Sequence, residues 1–279
     1  MFTAVNRAKK VGLVLCLASA VAISGCASNG KQSADTEAAY YQAAKEDLEK
    51  ANYSMAIERL SELQSRFPFG LYTKNSALDL MYAQYQSADY SSALIEADRF
   101  IRLNADHENI DYAWFIKSMS YYQLYLSNAG IFGTGDPAVR SPEQGQNAFS
   151  TLASFTSRFP DSDYRAEALT AMVILKDALA RHELVVADYY IRRGAWVAAA
   201  ERAQVVVQHY PGVSAVGDAW VVLIEAYDAL ELEADRSAAL AQLQSQYPQH
   251  PTLESGEYQA PKWQEDRWWV KLFTLGLTS

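Results

Sequence analysis

The stretch ANYSMAIERLSELQSRFP at residues 51–68 has a counterpart, GAWVAAAERAQVVVQHYP, at residues 194–211. In both, an aromatic residue follows a small residue, a small Ala lies three positions further on, and an aromatic-Pro pair closes the segment. The small Ala permits a neighbouring helix to approach closely, and the Pro stops the helix. Each stretch therefore predicts the second helix of a repeated helix-turn-helix unit.

Weaker copies of this pattern fill the chain between and after these two stretches. The markers are the small residues Ala56, Ala93, Ala148, Ala199 and Ala239, which are spaced by 37, 55, 51 and 40 residues. An uninterrupted tetratricopeptide repeat has a period of about 34 residues. We predict an all-α solenoid of about five tetratricopeptide-like helix pairs, with repeats 1–3 in residues 36–160 and repeats 4–5 in residues 161–250. The Ala239 marker implies that the fifth copy is three residues short.

The excess spacing indicates two insertions. Residues 127–141 contain three glycines and a Pro before Ser141-Pro142, which is a typical helix start. A nucleotide site is not expected there, because no apolar strand precedes the glycines and no Lys-Ser/Thr follows them. Residues 163–193 keep one helical pattern throughout, and no segment alternates with period two, so we expect no sheet.

The N-terminus has the pattern of a secretory signal. RAKK at residues 7–10 precedes a short apolar stretch that ends in ISGC at residues 23–26. This end resembles the bacterial lipoprotein box, and the stretch is shorter than the roughly 20 residues of a membrane span. We predict a lipoprotein signal peptide at 1–25, acylation of Cys26 and a flexible lipidated tether at 26–35. The alternative is a soluble secreted protein cleaved near Ala-x-Ala.

Composition argues against several other functions. A net charge of −9 disfavours nucleic acid, which is bound through clustered Lys and Arg. The four histidines, His107, His182, His209 and His250, have no partner at metal-ligand spacing, and we interpret them as surface or turn residues. No catalytic motif is present, so we predict a non-enzymatic protein. We expect no cofactor or metal, only the covalent diacylglycerol and N-acyl chain on Cys26.

Tyrosine is unusually frequent, with 18 residues. Tyr offers a large contact area with a polar tip, which suits the binding of an extended peptide. The candidates for a peptide-binding groove are Tyr41, Tyr72, Tyr82, Tyr85, Tyr112 and Tyr122. For any single Tyr, packing between helices is an equally good interpretation.

Several of these segments together resemble the BamD family. They are residues 53–56, LQSRFPFG at 63–70, DRFIRL at 98–103, ADYY at 187–190 and RGAWVA at 193–198. The resemblance covers residues 36–250 and the lipoprotein box. It implies an outer-membrane lipoprotein that faces the periplasm and belongs to the β-barrel assembly machinery.

The resemblance also implies partners and site residues. Repeats 1–3 would receive the targeting signals of unfolded outer-membrane proteins, and repeats 4–5 would bind a POTRA domain of BamA. Arg202 matches the family arginine that pairs with a POTRA carboxylate, and Arg193 precedes it in the same hairpin. BamC-like and BamE-like lipoproteins are further expected partners.

Two other functions stay open at this point. A repeat lipoprotein could use the same groove to activate peptidoglycan synthesis or to assist pilus assembly. A cell-wall hydrolase with a dispersed site is the third possibility. The aromatic extension at residues 251–279 is too short and too interrupted to span a bilayer, and we predict that it caps the last repeat or contacts another subunit.

Overall fold

A computed structural model describes residues 35–127, 136–139 and 141–261. The predicted signal peptide, Cys26, most of the tether, residues 128–135 and the tail from residue 262 lie outside the described residues. Within those ranges the protein is helical and has no strand, which confirms the all-α prediction.

In the described ranges, ten α-helices form five antiparallel pairs. The first helices of the pairs are α1 (Glu37–Glu49), α3 (Thr73–Gln86), α5 (Ile110–Ser127), α7 (Arg165–Ile191) and α9 (Ala215–Ala229). The second helices are α2 (Tyr53–Arg66), α4 (Tyr90–Leu103), α6 (Pro142–Arg158), α8 (Trp196–His209) and α10 (Glu233–Gln246). Two short 3-10 helices, Pro137–Val139 and Pro251–Gly256, complete the described ranges.

The turns inside four of the pairs share one backbone conformation. A residue with positive φ lies two positions before the second helix in each: Ala51 (54°), Ala88 (63°), Gly194 (69°) and Glu231 (59°). This left-handed residue ends the first helix and reverses the chain within a few residues. The small residue that precedes each second helix in the sequence pattern therefore marks a position that requires positive φ. Glu231 adopts this conformation although it is not small.

The shared turn corrects the predicted register of the fifth repeat. Helix α10 has 14 residues, as α2 and α8 do, so the fifth copy is not shortened. Counted from Glu231, the position of the small Ala belongs to Arg236 rather than to Ala239. Arg236 is accommodated at this position by an ion pair, since its Nε lies 2.9 Å from Asp228 Oδ1. The other four marker alanines are fully buried, as predicted.

The helices stack in chain order, and the first helices of successive repeats also contact one another. Helix α5 contacts both α3 and α7, and α7 contacts α9. Contacts between successive second helices are sparser in the part of the chain that the structure describes. The first helices therefore line the inner side of the solenoid, where repeat proteins bind their ligands.

Helix α7 joins the two larger parts of the core. It is an unbroken helix of 27 residues, as the pattern of residues 163–193 predicts. Its buried residues up to Ala178 pack with repeats 2 and 3, and those from Ala180 onward pack with repeats 4 and 5. None of the helices described is long and apolar enough to cross a membrane.

The described end of the insertion is attached to α7. Asp136 pairs with Arg181, and His182 Nδ1 lies 2.7 Å from the carbonyl oxygen of Ala138. The interpretation of His182 as a surface residue is therefore wrong, because it holds the inserted segment in place. His250 is also half-buried: its Nε2 lies 3.2 Å from Asp218 Oδ1, which ties the terminal 3-10 helix to α9.

Candidate protein-binding surfaces

Five of the six candidate tyrosines cluster on the inner side of repeats 1–3. We call this group the tyrosine surface: Tyr41, Tyr72, Tyr82, Tyr85 and Tyr112. Its first part joins α1 to the start of α3. Tyr41 and Tyr72 stack with ring centroids 4.8 Å apart, and Tyr41 Oη donates a hydrogen bond of 2.8 Å to Asp79 Oδ2. Lys45 Nζ lies 3.2 Å from the other oxygen of Asp79, so this carboxylate is neutralised within the site.

The second part of the tyrosine surface joins α3 to α5. Gln123 Nε2 lies 3.4 Å from Tyr85 Oη, and Tyr112 packs on Tyr164 with ring centroids 5.3 Å apart. Burial raises the pKa of the Tyr112 phenol, and the neighbouring Tyr164 and Tyr82 raise it further. The Tyr112 phenol therefore stays neutral, and a neutral phenol can both donate and accept hydrogen bonds.

Tyr122 does not share this surface. It is 7% exposed and packs in the core of repeats 2 and 3, so little of its ring can contact a ligand. Sequence reasoning also missed two contributors, Asp79 and Tyr164. Asp79 lies one helical turn before Tyr82, so helical spacing could have found it. The contact of Tyr164 depends on how α7 packs against α5, which spacing does not show.

A second cluster lies at the C-terminal end of α7. We call Glu183, Tyr189, Tyr190, Arg193 and Arg202 the arginine cluster. The guanidinium of Arg193 lies 4.3 Å from the ring centroid of Tyr189, which contacts Tyr190 edge-on at 5.5 Å. Arg202 Nη1 donates a hydrogen bond of 3.1 Å to Glu183 Oε2, and Tyr190 is close enough to Arg202 to raise its pKa further. Both candidate arginines therefore contact successive tyrosines of one helix.

The structure refines the expected geometry of these arginines. Arg193 lies in the turn between α7 and α8, and Arg202 follows it on α8 of the same hairpin. The guanidinium of Arg202 is not entirely free to bind a partner. Its hydrogen bond to Glu183 occupies one of its N–H groups and raises its pKa. Its side chain is nevertheless 43% exposed, so N–H groups remain for a partner carboxylate.

Neither surface has the composition of a metal or catalytic centre. Among the residues that the structure describes, no group of three or more His, Cys, Asp or Glu side chains could hold a metal ion. The two clusters consist of phenol rings, guanidinium groups and carboxylates that already have partners. Such surfaces are suited to the binding of proteins and peptides.

The sequence was compared with protein families and with characterised proteins. A family model described as "Outer membrane lipoprotein" (YfiO) matches residues 33–243. The relative from Neisseria meningitidis serogroup B is 32% identical over 270 residues, which cover 94% of this chain and 98% of that protein. It is named "Outer membrane protein assembly factor BamD". This chain belongs to the BamD family.

Two further BamD relatives support the assignment. The protein of Vibrio cholerae is 34% identical over 205 residues, which are 73% of this chain and 85% of that protein. The protein of Haemophilus influenzae is 34% identical over 238 residues, which are 81% of this chain and 87% of that protein. These names do not favour the alternatives in peptidoglycan synthesis or pilus assembly. The match to the Neisseria relative is long enough to include residues beyond the solenoid.

Proposed function

We propose that this chain is a lipid-anchored scaffold subunit of the outer-membrane β-barrel assembly machinery. It is held on the periplasmic face of the outer membrane by acyl chains on Cys26. The tyrosine surface binds targeting signals of unfolded outer-membrane proteins, and the arginine cluster binds a POTRA domain of BamA. BamC-like and BamE-like lipoproteins are its further partners. The chain carries out no catalysis.

The observation that supports this proposal is that two separate clusters, the tyrosine surface and the arginine cluster, lie on one BamD-family solenoid. The tyrosine surface belongs to repeats 1–3, and the arginine cluster belongs to repeat 4. One scaffold can therefore hold a client at one surface and the BamA subunit at the other. The names of the relatives support the assembly role, and the geometry supports the division of labour.

The BamA contact is tested with a neutral substitution at Arg202. Arg202→Glu would place a second carboxylate beside Glu183, so a loss of binding could come from local repulsion. Arg202→Gln avoids this repulsion while removing the charge. A matched control exists in repeat 1, because Arg59 occupies the same position of its second helix. Arg59 pairs with Asp47 at 2.6 Å and its side chain is 38% exposed.

The measurement is the affinity of the mature chain for the periplasmic POTRA region of its own BamA, by titration calorimetry. Loss of a hydrogen-bonded interface charge costs roughly 2–5 kcal/mol when fully buried, and a half-exposed group costs less. We expect Arg202→Gln to weaken binding about tenfold and Arg59→Gln to leave it unchanged. Equal effects of the two substitutions would contradict the assignment of the arginine cluster.

Client binding is tested at Tyr72, which lies at the start of α3. Tyr72→Ala removes the ring that stacks on Tyr41. The control is Tyr227→Ala in α9, where a tyrosine also lies on a first helix but outside the tyrosine surface. We expect only Tyr72→Ala to lower the affinity for a peptide with the C-terminal sequence of an outer-membrane barrel. Fluorescence anisotropy of a labelled peptide measures the difference.

A further inference from the structure

The turn between repeats 1 and 2 holds two large apolar side chains in solvent. Phe69 is 99% exposed and Leu71 is 92% exposed, more than any other large apolar residue in the described ranges. We call residues 68–71 the apolar turn. Leu103 of α4 adds a third exposed apolar side chain, because Phe69 and Leu103 line the same cleft of about 350 Å³.

Hydrogen bonds hold the backbone of this turn in place. Gly70 N donates to Phe67 O at 3.0 Å, and Thr73 Oγ1 donates to the same carbonyl at 2.8 Å. The carboxylate of Glu37 accepts from Leu71 N at 3.0 Å and from Tyr72 N at 2.6 Å. The turn is therefore held from two sides, which fixes the backbone from which Phe69 and Leu71 project into solvent.

Glycine at position 70 lets the Glu37 side chain approach the turn this closely. A Cβ atom at position 70 would overlap with the carboxylate of Glu37. Glu37 can therefore accept hydrogen bonds from Leu71 N and Tyr72 N in the same turn that exposes Phe69 and Leu71. A rigid turn that presents apolar side chains binds an apolar phase without a large loss of conformational entropy.

The position of the apolar turn indicates its partner. Glu37 is in the first turn of α1, and the preceding Asp35 pairs with Arg66 at 2.9 Å. Asp35 lies only nine positions after Cys26 in the sequence. A tether of that length has a root-mean-square span of about 17 Å and a fully extended span of about 30 Å. Acyl chains on Cys26 would therefore keep the apolar turn close to the bilayer.

Charge around the turn is compatible with a phospholipid surface. Lys74 lines the same cleft as Phe69, and no ion pair is found for its ammonium group among the described residues. An aromatic ring, aliphatic side chains and a lysine that can reach phosphate groups are the usual elements of an interfacial contact.

We propose that the apolar turn docks into the headgroup region of the membrane that holds the lipid anchor. This inference rests on the proposed acylation of Cys26. Docking would fix the orientation of repeat 1, because the turn is rigid and continuous with α3. It would also place the tyrosine surface at the membrane, since Tyr72 directly follows Leu71.

The test uses the acylated full chain in vesicles of phosphatidylethanolamine and phosphatidylglycerol. Leu71→Cys carries an environment-sensitive NBD probe, and it is the only free thiol because Cys16 is removed and Cys26 is acylated. Val173→Cys is the matched control, since Val173 is an apolar residue on α7 with 60% exposure. We expect a blue-shifted emission and severalfold stronger quenching by brominated lipids at position 71 than at position 173.

A second variant tests the role of the neighbouring ring. Phe69→Ser in the Leu71→Cys background should reduce the quenching, while the midpoint of thermal unfolding stays the same because both positions lie outside the core. Equal quenching at positions 71 and 173 in an acylated chain would overturn the docking and leave the anchor intact. If mass spectrometry of the N-terminal peptide shows no acyl chains, both the anchor and the docking are wrong.

Discussion

The left-handed turns permit a prediction about two equivalent positions. Exchanging Gly for Ala at one and Ala for Gly at the other should change the free energy of unfolding in opposite directions. Gly194 has a φ of 69°, and a Cβ atom built there meets no atom within 4 Å. Gly194→Ala therefore introduces no steric clash with the rest of the protein. Its cost comes from the backbone alone.

The magnitude follows from two opposing contributions. An L-residue in the left-handed region costs about 1–2 kcal/mol. The lower entropy of the unfolded chain with Ala returns about 0.4–1 kcal/mol. We expect Gly194→Ala to lower the free energy of unfolding by about 1 kcal/mol. Ala88 has a φ of 63° in the equivalent turn of repeat 2, so Ala88→Gly should raise it by up to about 1 kcal/mol.

Urea denaturation of the mature chain without its acyl groups measures both variants. The unfolding midpoint should shift in opposite directions while the dependence on urea stays constant, because the surface exposed on unfolding is the same. A neutral Gly194→Ala, or a destabilising Ala88→Gly, would refute the argument. Either result would mean that the contacts of the turn, and not its backbone conformation, determine the residue.

Three further substitutions have expected outcomes. Phe155→Ala should destabilise the chain by about 3–5 kcal/mol in the same urea assay, because Phe155 is fully buried between repeats 2 and 3. Tyr258→Phe removes the hydrogen bond of 2.6 Å to Glu225, so the amide of residue 259 should exchange faster with deuterium while the global midpoint moves by only about 1 kcal/mol. Gly70→Ala should displace the carboxylate of Glu37 and cost about 1–2 kcal/mol, and its circular dichroism spectrum should stay helical.

The sequence is sufficient to predict most of the fold, because each repeat depends on a few residues whose size or backbone restriction has a defined steric role. A buried Ala at the helix crossing and a Pro after the second helix are both hard to replace. The register of repeat 5 was predicted wrongly because Arg236 stands at the Ala position, where its Nε pairs with Asp228. Ala239 lies three positions later and is also buried, so the sequence pattern assigned the marker position to it instead.

The candidate sites were predictable in part. Placement on first helices identified five tyrosines that cluster, but it could not separate them from Tyr122, because a first helix has both a core side and an inner side. The pairing of Arg202 with Glu183 spans 19 residues and two helices. It depends on how far α7 extends beyond a normal repeat, and a search for local motifs does not detect it.

The length of α7 has a consequence for how the two surfaces work together. At a rise of 1.5 Å per residue, its 27 residues span about 40 Å. Tyr164 at its start contacts Tyr112 of the tyrosine surface, and Tyr190 near its end contacts Arg202. The two surfaces are thus connected by one continuous helix. Its first part packs in the core of repeats 2 and 3, and its second part packs in the core of repeats 4 and 5. A client and a BamA domain bound at the two proposed surfaces would be held at a fixed separation, because no loop interrupts the helix between Tyr164 and Tyr190.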